Sequence, residues 1–173
     1  MASSISEAKT TYLATFLPVQ DASESAAHER IFEENRHRIY SLAFWMTDSE
    51  PEAQEIQEGA FARAFTYHTE PTPEQIDRAL LNELRERMTI GYLSLQAEPC
   101  SEILSVRRNT LRVHLERAIV QLPATERLIF CMHDGEGYTH EHIASMLGLT
   151  TEESQTGLHQ ARCRIRELVA TMQ

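Results

Sequence analysis

A chain of 173 residues, 42% hydrophobic with only six glycines and six prolines, is long enough for a substantial core and is not compositionally disordered. Its 26 acids against 16 bases give a net charge of −10, an average field that repels nucleic acid, so any contact with DNA must be local. The N-terminus lacks a secretory signal pattern, no run approaches the roughly 20 apolar residues of a bilayer span, and Cys100, Cys131 and Cys163 are too widely spaced for a disulfide framework or zinc ribbon; the sequence predicts a cytoplasmic chain with reduced thiols and no membrane insertion.

Residues 1–27 read as a polar leader in which Tyr12, Leu13, Phe16 and Leu17 form one short amphipathic turn. From residue 28 the apolar positions follow helical spacing: Ile31, Ile39, Leu42 and Ala43, then Ile56, Ala60 and Phe61, then Ile76, Leu80, Leu81 and Leu84. Ser49 followed by Glu50, Pro51 and Glu52 is a capping box, and Thr72 to Gln75 repeats the device before a helix expected over IDRALLNELRERMTIGYLSL. Trp45, between Phe44 and Met46, reads as a core residue. Glu34 and His37 form a single E-x-x-H, better explained as a solvated helix face beside Arg36 and Arg38 than as a metal motif. Residues 94–109, interrupted by Pro99, turn polar and read as a linker. The expectation is an all-α chain of two small helical domains, over residues 28–93 and 110–173.

In the second unit, Ile143, Ala144 and Leu147 make the inner face of a short helix, and Gly148 permits a tight turn that Leu149 plugs. Thr150 with Glu153 is a capping box opening a longer helix whose inner face is Ser154, Leu158, Ala161, Ile165 and Leu168. Helix, glycine turn, longer helix is the helix-turn-helix plan, in which the second helix enters a DNA major groove.

These residues carry a resemblance. Leu122, Pro123, Arg127, Phe130, Glu136, Gly137, Thr139, Ile143, Ala144, Gly148, Leu149, Thr150, Leu158, His159, Ala161 and Arg162 match in register the promoter −35 recognition domain, region 4, of extracytoplasmic-function (ECF) sigma factors of the sigma-70 family. The stretch IYSLAFWMTDSEPEAQEIQEGAFARAF resembles that family's region 2 through Tyr40, Leu42, Ala43, Thr47, Ala53, Phe61, Arg63 and Phe65. The resemblance implies a transcription-initiation factor that binds core RNA polymerase around Glu52, Glu55, Ile56, Glu58 and Phe61. It further implies promoter contacts from Thr139, Thr150, Thr151, Gln155, Thr156, His159 and Arg162, and control by an anti-sigma partner.

The chain departs from the pattern where it would touch DNA. Gln155, Gly157 and Gln160 stand where the family carries a lysine and two arginines, and between Thr139 and Ala161 lie Glu141, Glu152 and Glu153 but no lysine or arginine, a local charge of −3. Cation–phosphate contacts supply most non-specific affinity, so that term is largely removed. Glu152 and Glu153 also complement the helix macrodipole, which accounts for them without reference to DNA. Ser154 replaces a buried valine. In the region 2-like half, Arg78, Arg85 and Arg87 are interleaved with Asp77, Glu83 and Glu86, and Tyr92 is the lone aromatic there to stack on a melted strand.

The pairs Cys131/His133, His140/His142 and His159/Cys163 match no metal-finger spacing. No nucleotide or nucleophile motif occurs, so neither a cofactor nor an enzyme is expected. Two functions remain: a sigma factor, or an interaction protein on a sigma scaffold that occupies an anti-sigma factor or polymerase without reading promoters.

Overall fold

The computed structural model describes residues 22–93 and 112–172, so the expected linker and most of the expected leader lie outside the described residues. The described chain contains seven α-helices, one π-helical turn and no strand. Helices α1 (Ala22–Thr47), α2 (Glu50–Tyr67) and α3 (Pro73–Arg87) form the first unit. The second consists of α4 (Arg112–Val120), α5 (Ala124–Phe130), the π turn Cys131–Gly135, α6 (His140–Leu147) and α7 (Thr151–Thr171). Helix α1 starts six residues before the expected boundary at residue 28. Among the described residues no helix is long and apolar enough to cross a membrane.

All three helices start where the sequence places them, and two of the three expected capping boxes form. Thr72 accepts from the Gln75 N–H while Gln75 Oε1 accepts from the Thr72 N–H at 2.8 Å. Thr150 and Glu153 exchange the same pair at 3.1 and 2.7 Å. At Ser49 the side chain caps nothing. There the corner is turned by Asp48 in the left-handed region (φ 55), which a short polar side chain tolerates, and the first turn is held by the Ala53 N–H on the Ser49 carbonyl at 2.9 Å.

The third helix is shorter than expected. It ends at Arg87, Met88 is extended, and Gly91 at φ 111 turns the chain back so that its N–H donates to Thr125 Oγ1 at 3.0 Å. A left-handed backbone there is open to glycine at no steric cost.

The apolar positions at helical spacing are the core: Ile39, Ala43, Ile56, Ala60, Ile76, Leu84 and Ile143 are each at 0% exposure. Burying one aliphatic side chain of this size contributes about 1.5–3 kcal/mol. Phe61 packs against Phe32 and Phe65 with ring centroids 4.8 and 6.2 Å away, and Trp45 lies half-buried edge-on to Phe44. Glu34 and His37 are exposed. Cys131 is a free buried thiol, pushed up to about 12 by burial, and so unreactive. Cys163 is disulfide-bonded, which the expectation of reduced thiols did not foresee.

The two units do not stand apart. Their apolar residues form one continuous cluster, from Ile31 and Leu84 to Ile129 and Leu158. Polar contacts cross the seam as well: the Arg127 guanidinium donates to the Met46 carbonyl at 3.1 Å, and Arg85 donates to the Leu147 carbonyl at 3.4 Å.

Candidate functional site

The helix-turn-helix is built by local chemistry. The Thr139 hydroxyl caps α6 by accepting from the His142 N–H at 3.3 Å. Gly148 ends it at φ 74, and the Gly148 and Leu149 N–H groups return to the Ala144 carbonyl at 2.9 and 3.0 Å, closing the turn. Ser154, Leu158, Ala161 and Ile165 of α7 are buried against it. Ser154 is no packing defect: fully buried, its hydroxyl pairs with His140 Nδ1 at 3.0 Å. Burial and the neighbouring His133, whose ring stacks at 4.5 Å, hold His140 below the usual imidazole range, so it meets Ser154 as a neutral ring.

Glu152, Gln155, His159 and Arg162 form the outward stripe of α7, with Thr151 and Thr156 half-buried beside it and the caps Thr139 and Thr150 exposed. The three positions read as lost cations are not equivalent. Gln155 is on the stripe, whereas Gln160 is half-buried and Gly157 is buried. A Cβ at Gly157 would lie 2.8 Å from Ile129 Cδ1 and 3.1 Å from Leu93 Cδ2. Glycine there is a packing requirement of this structure, which lets α7 close on Leu93 and Ile129; the reading of position 157 as a phosphate-facing site is corrected accordingly.

Arg162, the cation of the stripe, is already engaged. Its Nε and Nη2 donate to the two carboxylate oxygens of Asp134 at 3.0 and 2.6 Å, and His133 Nδ1 lies 2.9 Å from the same carboxylate. Partial burial works against the Asp134 charge, but the hydrogen bonds from Arg162 and His133 outweigh it and hold the group below the ordinary carboxylate range. The stripe therefore presents hydroxyl, amide and imidazole groups, an exposed Glu152 and a neutralised arginine. Asp134 was not identified from the sequence, because it reaches Arg162 only through the π turn.

The second expected surface lies on α2. Glu52 and Glu55 are exposed and Glu58 is half-buried, its carboxyl raised by desolvation. Spaced i, i+3, i+6, the three make an acidic edge. Ile56 and Phe61 do not belong to it: at 0% and 5% exposure they sit in the core with Ala53, Ala60 and Ala64, since the apolar stripe of α2 faces α1 and α3. Their place in an expected docking surface is corrected here.

On α3 most of the basic residues are engaged. Glu83 lies over Gly59, where a Cβ would come within 2.6 Å of its Oε2, and it is paired with Arg63 and Arg87 at 2.8 and 3.3 Å. Arg78 and Tyr92 remain exposed. Among the described residues no three His, Cys, Asp or Glu side chains assemble as a metal site.

The sequence alone missed a buried polar group joining the units. Asp77 of α3, 2% exposed, accepts from Arg38 of α1 and from the Tyr138 hydroxyl at 2.7 Å. The signal was present, since Asp77 falls on the stripe of Ile76, Leu80, Leu81 and Leu84, but its partners are 39 and 61 residues away.

Comparison with known proteins agrees with this architecture. Residues 112–165, from α4 through most of α7, match the family described as sigma-70, region 4. Over 92% of its length the chain is 22% identical to the ECF RNA polymerase sigma factor SigE of Mycolicibacterium smegmatis, covering 68% of that protein. With a complete helix-turn-helix in the matched segment and an all-helical fold among the described residues, the chain carries a sigma-70 region 4 domain over residues 112–165 and is similar over nearly its whole length to an ECF sigma factor.

Proposed function

We propose that this chain works as a sigma factor in transcription initiation, with most of its promoter affinity supplied by core RNA polymerase. The acidic edge Glu52, Glu55 and Glu58 seats the polymerase. The helix-turn-helix, through Thr139, Thr150, Thr151, Gln155, Thr156, His159 and Arg162, contributes base contacts of low intrinsic affinity at −35. Control falls to a separate anti-sigma protein in the cytoplasm. The observation that supports this reading is the outward stripe Glu152, Gln155, His159 and Arg162 on the second helix of a complete helix-turn-helix, with its arginine held by Asp134. With that cation engaged the counterion-release contribution is small, so the isolated chain binds duplex weakly and the holoenzyme supplies the rest. Run-off transcription with core polymerase across genomic fragments tests it; no promoter-dependent initiation on any fragment would sink it.

A second reading is favoured by the same pairing and by Glu141 and Glu152 on the exposed face: an interaction protein that occupies an anti-sigma factor, or polymerase, without reading promoters. Titration against duplex DNA across salt concentrations separates the two. Submicromolar binding that falls steeply with salt counts against this reading.

A further inference from the structure

From His133 to Arg162 the chain places four of its eight histidines, five acids and a single arginine. Every fixed charge on this segment but one is negative, and imidazole is the remaining group that can become a cation. It is also the side chain whose charge changes between about pH 5 and pH 8.

The fold sorts the four. His142 turns toward the first unit, with Nε2 3.8 Å from Asp77 Oδ2 and its ring 5.0 Å from that of Tyr138. The other three stay with the reading helix. His133, from the π turn, and His140, from the start of α6, stack with ring centroids 4.5 Å apart. His159 is exposed on the outward stripe of α7, one turn before Arg162, with Nε2 3.6 Å from Cys163 Sγ.

The charged neighbours of each ring decide what a proton does there. His133 Nδ1 lies 2.9 Å from the Asp134 carboxylate, which also holds Arg162. Around His140 are Glu141 beside it, His133 and Asp134 from the π turn, and Arg162 from α7, while Nδ1 is paired with Ser154. With both rings neutral, Asp134 and Arg162 cancel. Two stacked rings repel when both are charged, so the stack takes one proton. It falls to His133, which has the carboxylate, and leaves His140 neutral on Ser154. Asp134 then lies between two cations, and one positive charge is surplus. His159, in the open, takes a second proton independently.

A duplex favours both protons, because a phosphate stabilises an imidazolium and each cation placed on it releases counterions.

We propose that His133 and His159, together with Arg162, form a proton-dependent phosphate-contact face on the helix-turn-helix, so that DNA binding takes up protons and strengthens as the pH falls. His140 is a positioning residue, holding His133 by the stack and α7 by Ser154. The inference rests on the reading above that this face meets DNA, and adds that titratable cations stand in for the fixed ones it lacks.

Fluorescence anisotropy of the full chain with a mixed-sequence DNA duplex, at constant ionic strength from pH 8 to pH 6, tests it, with circular dichroism reporting the fold at each pH. Linkage gives about tenfold in affinity per pH unit for each proton taken up above the imidazole range. Wild-type affinity is expected to rise at least about tenfold over the interval. His133→Gln, which keeps a donor for Asp134 without titrating, and His159→Gln should each flatten the rise, and the double variant should remove most of it. His37→Gln, at an exposed position on α1, should keep the wild-type dependence. An affinity that does not change with pH, or a double variant as pH-dependent as the wild type, overturns the inference and leaves the promoter reading standing. Duplex binding too weak to detect even at pH 6 overturns it as well, and run-off transcription then decides the promoter reading separately.

Discussion

Asp134 governs what Arg162 can offer a polyanion. The pair is bidentate but partly exposed, with side-chain exposures of 25% and 49%, so it adds little to stability; its weight is electrostatic. Asp134→Asn is expected to leave the melting temperature nearly unchanged while freeing one cation. Duplex affinity should rise, and the slope of log K against log salt should steepen by about 0.9, the share of one phosphate contact. A salt titration by fluorescence anisotropy measures both, and an unchanged slope would show that Arg162 does not face DNA. Glu126 poses a different problem. At 1% exposure its oxygens lack a hydrogen-bond partner among the described residues, and Arg164 lies 3.4 Å away. Burial raises its pKa, and Arg164 only partly opposes the shift. A carboxyl whose folded-state pKa is raised favours folding most below its unfolded pKa, and that contribution is lost as the pH rises through the folded value. Glu126→Gln, which carries no charge at any pH, should therefore gain on the wild type between pH 5 and pH 8. Melting curves at the two pH values check this, with about 2–4 °C expected for each kcal/mol. An equal difference at both would mean that Glu126 is not strained by its burial.

At the scale of elements, the sequence is most informative where one helix turn decides the outcome. Thr72 and Thr150 cap their helices because their boxes are complete within four residues, and the inner faces of α6 and α7 follow from 3.6-residue spacing. It is least informative where a second element decides. Gly157 reads as a missing arginine until Leu93 and Ile129 are seen against it, and Ser154 reads as a weak spot until His140 is seen. The two positions 155 and 157 therefore respond differently to restoration of the family residue. Gln155→Lys, on the exposed stripe, should leave stability within about 0.5 kcal/mol and add roughly one phosphate contact. Gly157→Arg should lower the melting temperature by several degrees, since overpacking a filled site costs about 1–3 kcal/mol. Thermal melts beside the same salt titrations decide the matter, and equal tolerance at both sites would contradict the packing of Gly157.

For the whole molecule, a charge of −10 on a compact chain is self-repelling. Raising salt from about 10 mM to 150 mM shortens the screening length from about 30 Å to 8 Å. The melting temperature is expected to rise over that range, because long-range repulsion is screened while the buried Arg38–Asp77 pair is not; a fall would mean that exposed ion pairs outweigh the net charge. All-α architecture was legible because it is local. The docking of the two units was not, since Tyr138 meets Arg38 across 100 residues and no periodicity records such a meeting.

The π turn at Cys131–Gly135 has a consequence of another kind. Its Glu136 N–H reaches back five residues to the Cys131 carbonyl, so the helix carries one residue more than an α turn would. Each residue turns its successor by about 100° about the axis, and the surplus one brings Asp134 under Arg162. Shortening the turn by one residue would aim the carboxylate elsewhere. A single codon thus stands between a recognition helix whose arginine is spoken for and one whose arginine is at liberty.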